Sequence, residues 1–513
     1  MKKTTRNRLD AERRRVGEVL LAAEEGLAPR APATPEMSGG NARYEFSGRI
    51  RAVAAGGIGV MHRLARRVGL IDSIDRDLNV LKQPKPYLDS DHVMNIAFHV
   101  LAGGRVLDEL DVRRQDRAYL DALGARAIPD PTTAAGDYCR RFDDEAAWRL
   151  MDTINQVRAN VWRDHPSLTQ ETARIDADGT YVGTKGDCKE GMDLSHKGIW
   201  GYHPLLVSLA NTCEPLFIVN RSGNRPSHEG APALFDRAIA LCRTAGFTDI
   251  LLRGDTDFSL TKYLDAWDEQ GVRFVFGYDA SQGLVSRAEE VDDSEYGQLH
   301  RRADVLFAAF DRATRAKPPR VKDQIVFERE YLNIRLERED LAEFDYKPKR
   351  ADRTYRIVVL RKTLVSERGQ QSLATDFRYF FYVTNDRELT QAQVVGEANQ
   401  RCNQENLIEQ LKNGVRALHA PTNTLVANWA YMIMTSLAWT LKAWAGLKLP
   451  ISPRHRERHV AEQRTVIRMD FRTFLENFML VPAQIIRKAR QLTFRVLAWR
   501  PGLPTLFRLL DAL

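Results

Sequence analysis

The pattern of apolar and polar positions changes character along the chain. Residues 1–45 begin as a short charged helix and pass into a Pro/Ala/Gly/Ser stretch, APRAPATPEMSGGN, that reads as a linker. Residues 50–165 are rich in Ala, Leu, Arg and Asp and poor in β-branched runs, which predicts helices. Within them DPTTAAGDYCRRF carries a helix start: Asp130, Pro131 at the first helical position, then Thr132 and Thr133.

At Ala173 the period shortens. ARIDAD alternates and predicts a strand with Asp176 and Asp178 on one face. HPLLVSLAN and PLFIVNRSG predict a hairpin, and His228 to Ala245 an amphipathic helix. TDILLRGD follows as a short apolar strand, then a helix in SLTKYLDAWDEQG and a strand in VRFVFGY. Strands first and helices interleaved later argue for a mixed α/β sheet. From about Ala280 to Thr375, alternating segments such as QIVFEREYLNIRLERED and RTYRIVVLRKTL predict a separate β-rich module. FRYFFYVTND is a further apolar strand, and Asp386 to Gly414 reads as one helix.

Leu425 to Leu441 has no charges and is about 17 residues long, the lower limit for a membrane span. It carries Asn428, Thr435, Ser436 and Thr440, so a buried core helix is the expectation, with no membrane partner.

Composition is that of a folded globular protein: 513 residues, 43% apolar and 28% charged. The net charge is +8, and it sits at the ends. Ile451 to Leu513 holds twelve Lys/Arg against five Asp/Glu, and Met1 to Arg30 eight against five. Basic ends attract polyphosphate, so nucleic acid is one expected partner and a solvated surface the other reading. Five cysteines with no Cys-x-x-Cys pair argue against a disulfide framework and a cysteine zinc site, and for a reducing cytosol.

Three carboxylates stand at positions where chemistry gathers. Asp178 ends the first core strand, Asp255 follows a buried strand, and Glu405 lies on a downstream helix. Carboxylate oxygens are the hard ligands that Mg²⁺ or Mn²⁺ prefers, and a pair of such ions suits phosphodiester chemistry. Around Glu405, Arg401, Glu409 and Lys412 share its helix face, while Leu407, Ile408, Leu411 and Val415 form an apolar stripe. His196 and His203 flank GIWGY at a spacing that fits no common zinc pattern and predicts a structural or flap role. Lys347, Lys349 and Arg350 form a basic cluster that suits DNA backbone or a solvated loop, and Thr132, Thr133, Arg140 and Arg141 suit a DNA-facing or plain amphipathic helix.

Arg401-x3-Glu405-x6-Lys412 resembles the Tyr-x2-Arg-x3-Glu-x6-Lys signature of bacterial insertion-sequence transposases of the DDE class. ILLRGDTDF resembles their second-aspartate segment and IDADGT the first. VNRSGNRPSHEGA resembles the stretch between them, and FRYFFYVTN the strand before the glutamate helix. The arrangement is most similar to insertion sequence family 1380. The resemblance implies an α/β fold with an RNase H-like (retroviral-integrase-like) catalytic core. It divides the chain into a flexible segment (1–45), a helical DNA-binding domain (46–165), the first part of the core (166–279), a β-rich insertion (280–375), the second part with the glutamate helix (376–447) and a basic helical C-terminal region (448–513). It further implies that Asp178, Asp255 and Glu405 hold two Mg²⁺ ions, for which Mn²⁺ can substitute, and that Arg401 and Lys412 contact DNA phosphates. The implied partners are double-stranded DNA, as transposon ends and target, and a second copy of the chain on the paired ends, in the cytoplasm on the bacterial nucleoid.

The chain departs from the signature in places. Its Tyr falls at Ala398, and no Trp lies between Trp267 and Trp429 to stack on a flipped base; Tyr331, Phe344, Tyr346 and Tyr355 are the aromatic alternatives. Asp176 rivals Asp178 as first ligand, Thr180 favouring Asp178, and Asp257 rivals Asp255. A metal-dependent nuclease without strand transfer and a domesticated, non-catalytic DNA-binding protein are the competing functions.

Overall fold

A computed structural model of the protein describes residues 3–25, 50–82, 86–186, 188–300, 332–368, 371–488 and 491–513. The amino-terminal part is helical: α1 (Lys3–Glu25), α2 (Ile58–Arg67), α3 (Leu70–Asp77), α4 (Asp89–Leu101) and α5 (Asp144–Arg163). Local signals set their starts. Asp143 caps α5 by accepting from the Ala146 amide at 2.8 Å, and Asp91 reaches back to the Leu88 amide at 2.9 Å at the head of α4. The Pro131 segment is helical through Arg140, as its start signal predicts.

A nine-stranded mixed sheet follows. Its strands are β1 (Ala173–Gly179), β2 (Leu205–Leu209), β3 (Glu214–Val219), β4 (Ile250–Gly254), β5 (Arg273–Tyr278), β6 (Gly297–Gln298), β7 (Leu332–Tyr346), β8 (Tyr355–Arg368) and β9 (Gln371–Thr384), in spatial order β6-β7-β8-β9-β5-β4-β1-β2-β3. β2 and β3 form the expected antiparallel hairpin beside β1. β4 lies parallel to β1 and β5 parallel to β4. The crossover between β3 and β4 is α6 (Ala231–Ala245). Of the segment predicted as a separate module, the described strands β7 and β8 continue this sheet, because β9 pairs with β8 on one side and with β5 on the other; residues 301–331 lie outside the described residues. The sequence has the alternation of strands but carries no mark of which edge they join.

The helix predicted from Asp386 to Gly414 starts later and is broken. It comprises α7 (Gln391–Gln400), α8 (Cys402–Glu409) and one wider turn over Gln410–Gly414. Asp386 instead caps the preceding loop, accepting from the amides of Glu388 and Leu389 at 2.8 and 2.9 Å.

The next helix, α9 (Leu425–Leu447), is buried from Ala427 to Leu447 and packs on α2, α4, α5 and β3. Two of its polar side chains are satisfied inside: Asn428 donates to the Thr424 carbonyl at 2.9 Å, and the Lys442 ammonium to that of Ile467 at 2.7 Å. Among the described residues no helix is long and apolar enough to cross a membrane. Fully buried Glu214, heading β3, accepts from Arg158 of α5 at 3.0 Å and from Trp162 and Trp444 at 2.8 Å each, which joins helical part, sheet and α9.

The carboxy-terminal region holds α10 (Arg456–Arg468) and α11 (Leu503–Ala512). It is not wholly helical: Ala483–Lys488 and Gln491–Val496 form a hairpin, joined by Ala52–Val53 in a three-stranded sheet. Side chains along Gln491–Val496 alternate in exposure, the period of a strand. None of the five cysteines forms a disulfide.

Candidate active site

β1 and β4 are parallel neighbours, with Asp176 opposite Arg253. Two residues further on stand Asp178, still in β1 and paired there with Leu206 of β2, and Asp255, just past the end of β4. Asp178 is about one-fifth exposed and Asp255 about two-fifths. The turn after β4 is tight: a Cβ on Gly254 would stand 2.6 Å from the Cβ of Phe258, so only glycine fits. Asp255 caps that turn, accepting from the Asp257 amide at 3.0 Å. Asp257 itself is exposed.

Arg401 sits at the break between α7 and α8, and its guanidinium reaches between the two aspartates. Nη1 lies 3.5 Å from Asp178 Oδ2 and 4.0 Å from Asp255 Oδ2, buried and without a hydrogen bond of normal geometry. One turn along α8, exposed Glu405 is close enough for its charge to act on Asp178, and the Lys412 ammonium feels Asp178 as well. Leu407, Ile408, Leu411 and Val415 are buried, so the apolar stripe fixes which face turns to the site.

Burial dominates the electrostatics. It raises the Asp178 carboxyl to about 6, with Asp255 and Glu405 adding to the rise and Arg401 opposing it. Asp255 is raised for the same first reason, and burial lowers Lys412. Two carboxylates thus share one imperfectly placed cation, an arrangement short of positive charge.

Asp176 is separated from this site. It is 1% exposed, and Arg253 clasps it with Nε at 2.7 Å and Nη2 at 2.9 Å. The other arm of Arg253 reaches Glu397 Oε2 at 2.9 Å, and Arg174 holds Glu397 from the far side at 2.8 Å. Neither Glu397 nor Arg174 stands out in the sequence. The available signal was Arg253 itself: an arginine inside an apolar strand requires a buried acid.

His196 and His203 lie just past strands of a small sheet of Val182–Gly183, Asp193–Leu194 and Trp200–Tyr202. His203 stacks on Tyr181 with ring centroids 4.2 Å apart, and its Nδ1 bonds the Arg225 carbonyl at 2.7 Å. The Tyr181 hydroxyl bonds His196 Nδ1 at 2.8 Å. These partners fit the structural or flap role. Lys349 and Arg350, in the turn after β7, line a groove of about 1000 Å³ with Arg225, Lys262, Tyr278 and Tyr346. Lys347 is exposed on the same turn. Asp279, also lining the groove, acts electrostatically on Asp255, which places the groove next to the aspartates. Of the aromatic alternatives, Tyr346 lines this groove, whereas Tyr355 is buried and bonded to Asp265, and Phe344 packs under Arg287. Tyr331 lies outside the described residues.

Among the described residues no three His, Cys, Asp or Glu side chains stand close enough to hold an ion together. The donor set nevertheless suits a hard divalent ion: Asp178 and Asp255 already converge on one cation, and Glu405 follows within electrostatic reach. A family model for the transposase DDE domain, group 1, matches residues 35–513. The chain belongs to this family. DDE transposases as a family depend on divalent metal. No curated protein matches this DDE transposase chain. Among solved structures it is similar to the piggyBac transposase in a cryo-EM synaptic complex with hairpin DNA, at 10% identity and a TM-score of 0.37, over 83% of this chain and 81% of that one.

Proposed function

We propose that this DDE transposase belongs to an insertion sequence, most similar to family 1380, binds that element's terminal inverted repeats and catalyses Mg²⁺-dependent strand cleavage and strand transfer. The observation that carries this reading is the convergence of Asp178 and Asp255, from neighbouring parallel strands, on Arg401 one helical turn before Glu405. The core order β3-β2-β1-β4-β5, with Asp178 near the end of β1 and Asp255 just past β4, supports an RNase H-like core.

Asp178, Asp255 and Glu405 would hold two Mg²⁺ ions, with Mn²⁺ able to substitute; when bound, such ions neutralise charge on a phosphodiester and acidify an attacking hydroxyl. The chain's own residues position the DNA. Arg401 offers a planar donor fork and Lys412 a point charge to the scissile phosphate, while Lys347, Lys349 and Arg350 follow the backbone along the groove. Arg401 exchanges its aspartate contacts for that phosphate, which relieves its poorly bonded Nη1. Attack is in line, first by water and then by a DNA 3′-hydroxyl, with no covalent enzyme intermediate. Two copies hold the paired ends.

In a supercoiled-plasmid excision assay, Asp178→Ala, Asp255→Ala and Glu405→Ala each lose cleavage and keep end binding. Near-normal cutting by all three overturns the assignment. Joining of a pre-cut 3′ end to target DNA separates a transposase from a nuclease, and end binding without product under any metal identifies a non-catalytic relative.

A further inference from the structure

A second cleft, of about 760 Å³, opens on the other side of the α7–α8 break, between α10, the residues before β1 and the β2–β3 turn. One wall is a face of α10 carrying Arg456, Arg464 and Arg468, all exposed. Arg464 has only a loose contact with Glu171, at 3.9 Å, and Arg456 and Arg468 have no carboxylate partner among the described residues. From Arg456 to Arg468 the helix rises about 18 Å, a length over which one DNA strand presents roughly five phosphates. The opposite wall offers the neutral polar groups Asn211, Thr212, Gln400 and Asn403 beside Glu171, and Glu457 adjoins Arg456 on the helix. Thr212, in that wall, is 0% exposed, and its hydroxyl has no partner. A buried unpaired hydroxyl is costly unless something fills the space before it.

We infer that this cleft seats the backbone of one strand of the same duplex that enters the Asp178–Asp255 site. The inference rests on the transposase reading above. Three arginines in a row along a helix suit a repeating anion better than a single phosphate, and the side-chain amides of Asn211, Gln400 and Asn403 opposite are usual donors to phosphate oxygens. Gln400 and Asn403 flank Arg401, so a strand in the cleft touches the segment that carries the Asp178–Asp255 cation.

The test is anisotropy of a labelled duplex carrying the element's end, titrated with the full-length chain between 50 and 200 mM salt. Arg456→Ala/Arg468→Ala, with an unchanged melting temperature, should bind at least tenfold more weakly at 100 mM salt and lower the slope of log K against log salt by about 1.8, some 0.9 per lost phosphate contact. Arg456→Lys/Arg468→Lys should restore the slope, which a general loss of fold would not allow. An unchanged slope overturns the cleft and leaves the transposase reading standing. Inorganic phosphate that raises the melting temperature of the unmutated chain but not of the alanine variant, with equal slopes for both, marks a small-anion site and also overturns the inference. Failure of the unmutated chain to bind any duplex overturns the underlying function instead.

Discussion

Two acid clusters lie two residues apart on the same strands, and they differ in how their charge is closed. The inner one, Asp176, Arg253, Glu397 and Arg174, is sealed: every carboxylate has a guanidinium at 2.7–3.1 Å, and Arg253 and Asp176 are 1% exposed. The outer one, Asp178, Asp255, Glu405 and Arg401, is open: Asp178 and Asp255 share one guanidinium whose closest approach is 3.5 Å, and Glu405 adds its charge to that of Asp178. A sealed cluster holds the sheet to α7. An open one leaves carboxylate charge uncompensated. Strand geometry makes the contrast: Asp176 and Asp178 share a face of β1, but the pairing of β1 with β4 ends at Asp176, so only Asp176 lies opposite Arg253.

The comparison can be broken most decisively by conservative changes in each cluster. Asp178→Asn should abolish plasmid cleavage with no loss in melting temperature. Arg253→Met should unfold the chain more readily, by about 3–5 kcal/mol in a denaturant titration, because it leaves Asp176 buried and unpaired. Equal stability of the two variants would erase the distinction between the clusters. A smaller effect is expected at the shared cation. With Arg401→Ala the two aspartates face each other uncompensated, so millimolar Mg²⁺ should raise the melting temperature by about 2–4 °C more than in the unmutated chain.

A third effect depends on pH. The Asp178 carboxyl is about 6 in the folded chain and ordinary when unfolded, so the native state binds its proton more tightly. That stabilisation is fully present below the unfolded value and is lost as pH rises through about 6. The stability advantage of Asp178→Asn should therefore grow between pH 4 and pH 6 and level off above; a flat difference would place Asp178 in a solvated setting. The smallest effect belongs to the groove. Lys349→Ala/Arg350→Ala should lower the salt slope of duplex binding by about 1.8 or less, with cleavage of bound DNA retained.

Much of the fold was legible because its signals are local. The β2–β3 hairpin, the strands β4 and β5 and the buried α9 follow from runs of apolar residues and their lengths, and the cap residues mark several helix starts. The face of α8 was legible too, since Leu407, Ile408, Leu411 and Val415 leave Arg401, Glu405 and Lys412 no other side. The break at Arg401 was not, because its neighbours Gln400 and Cys402 are neither glycine nor proline. The continuation of β7–β9 into the core sheet was hidden for a different reason. Edge pairing is backbone hydrogen bonding between segments far apart in the chain, and side-chain alternation is the same whichever edge a strand joins.

The sequence by itself determined which residue types are available, their order, and the element on which each of Asp178, Asp255 and Glu405 rides. Only the tertiary structure decided between Asp176 and Asp178 as the acid left open. Both lie on one face of one strand, and alternation cannot rank them. The choice depends on Arg253, 77 residues later, whose side chain reaches Asp176 because β4 packs parallel to β1 in that register. Burial then seals one carboxylate and leaves the other at the rim, and depth below a surface belongs to the folded chain alone.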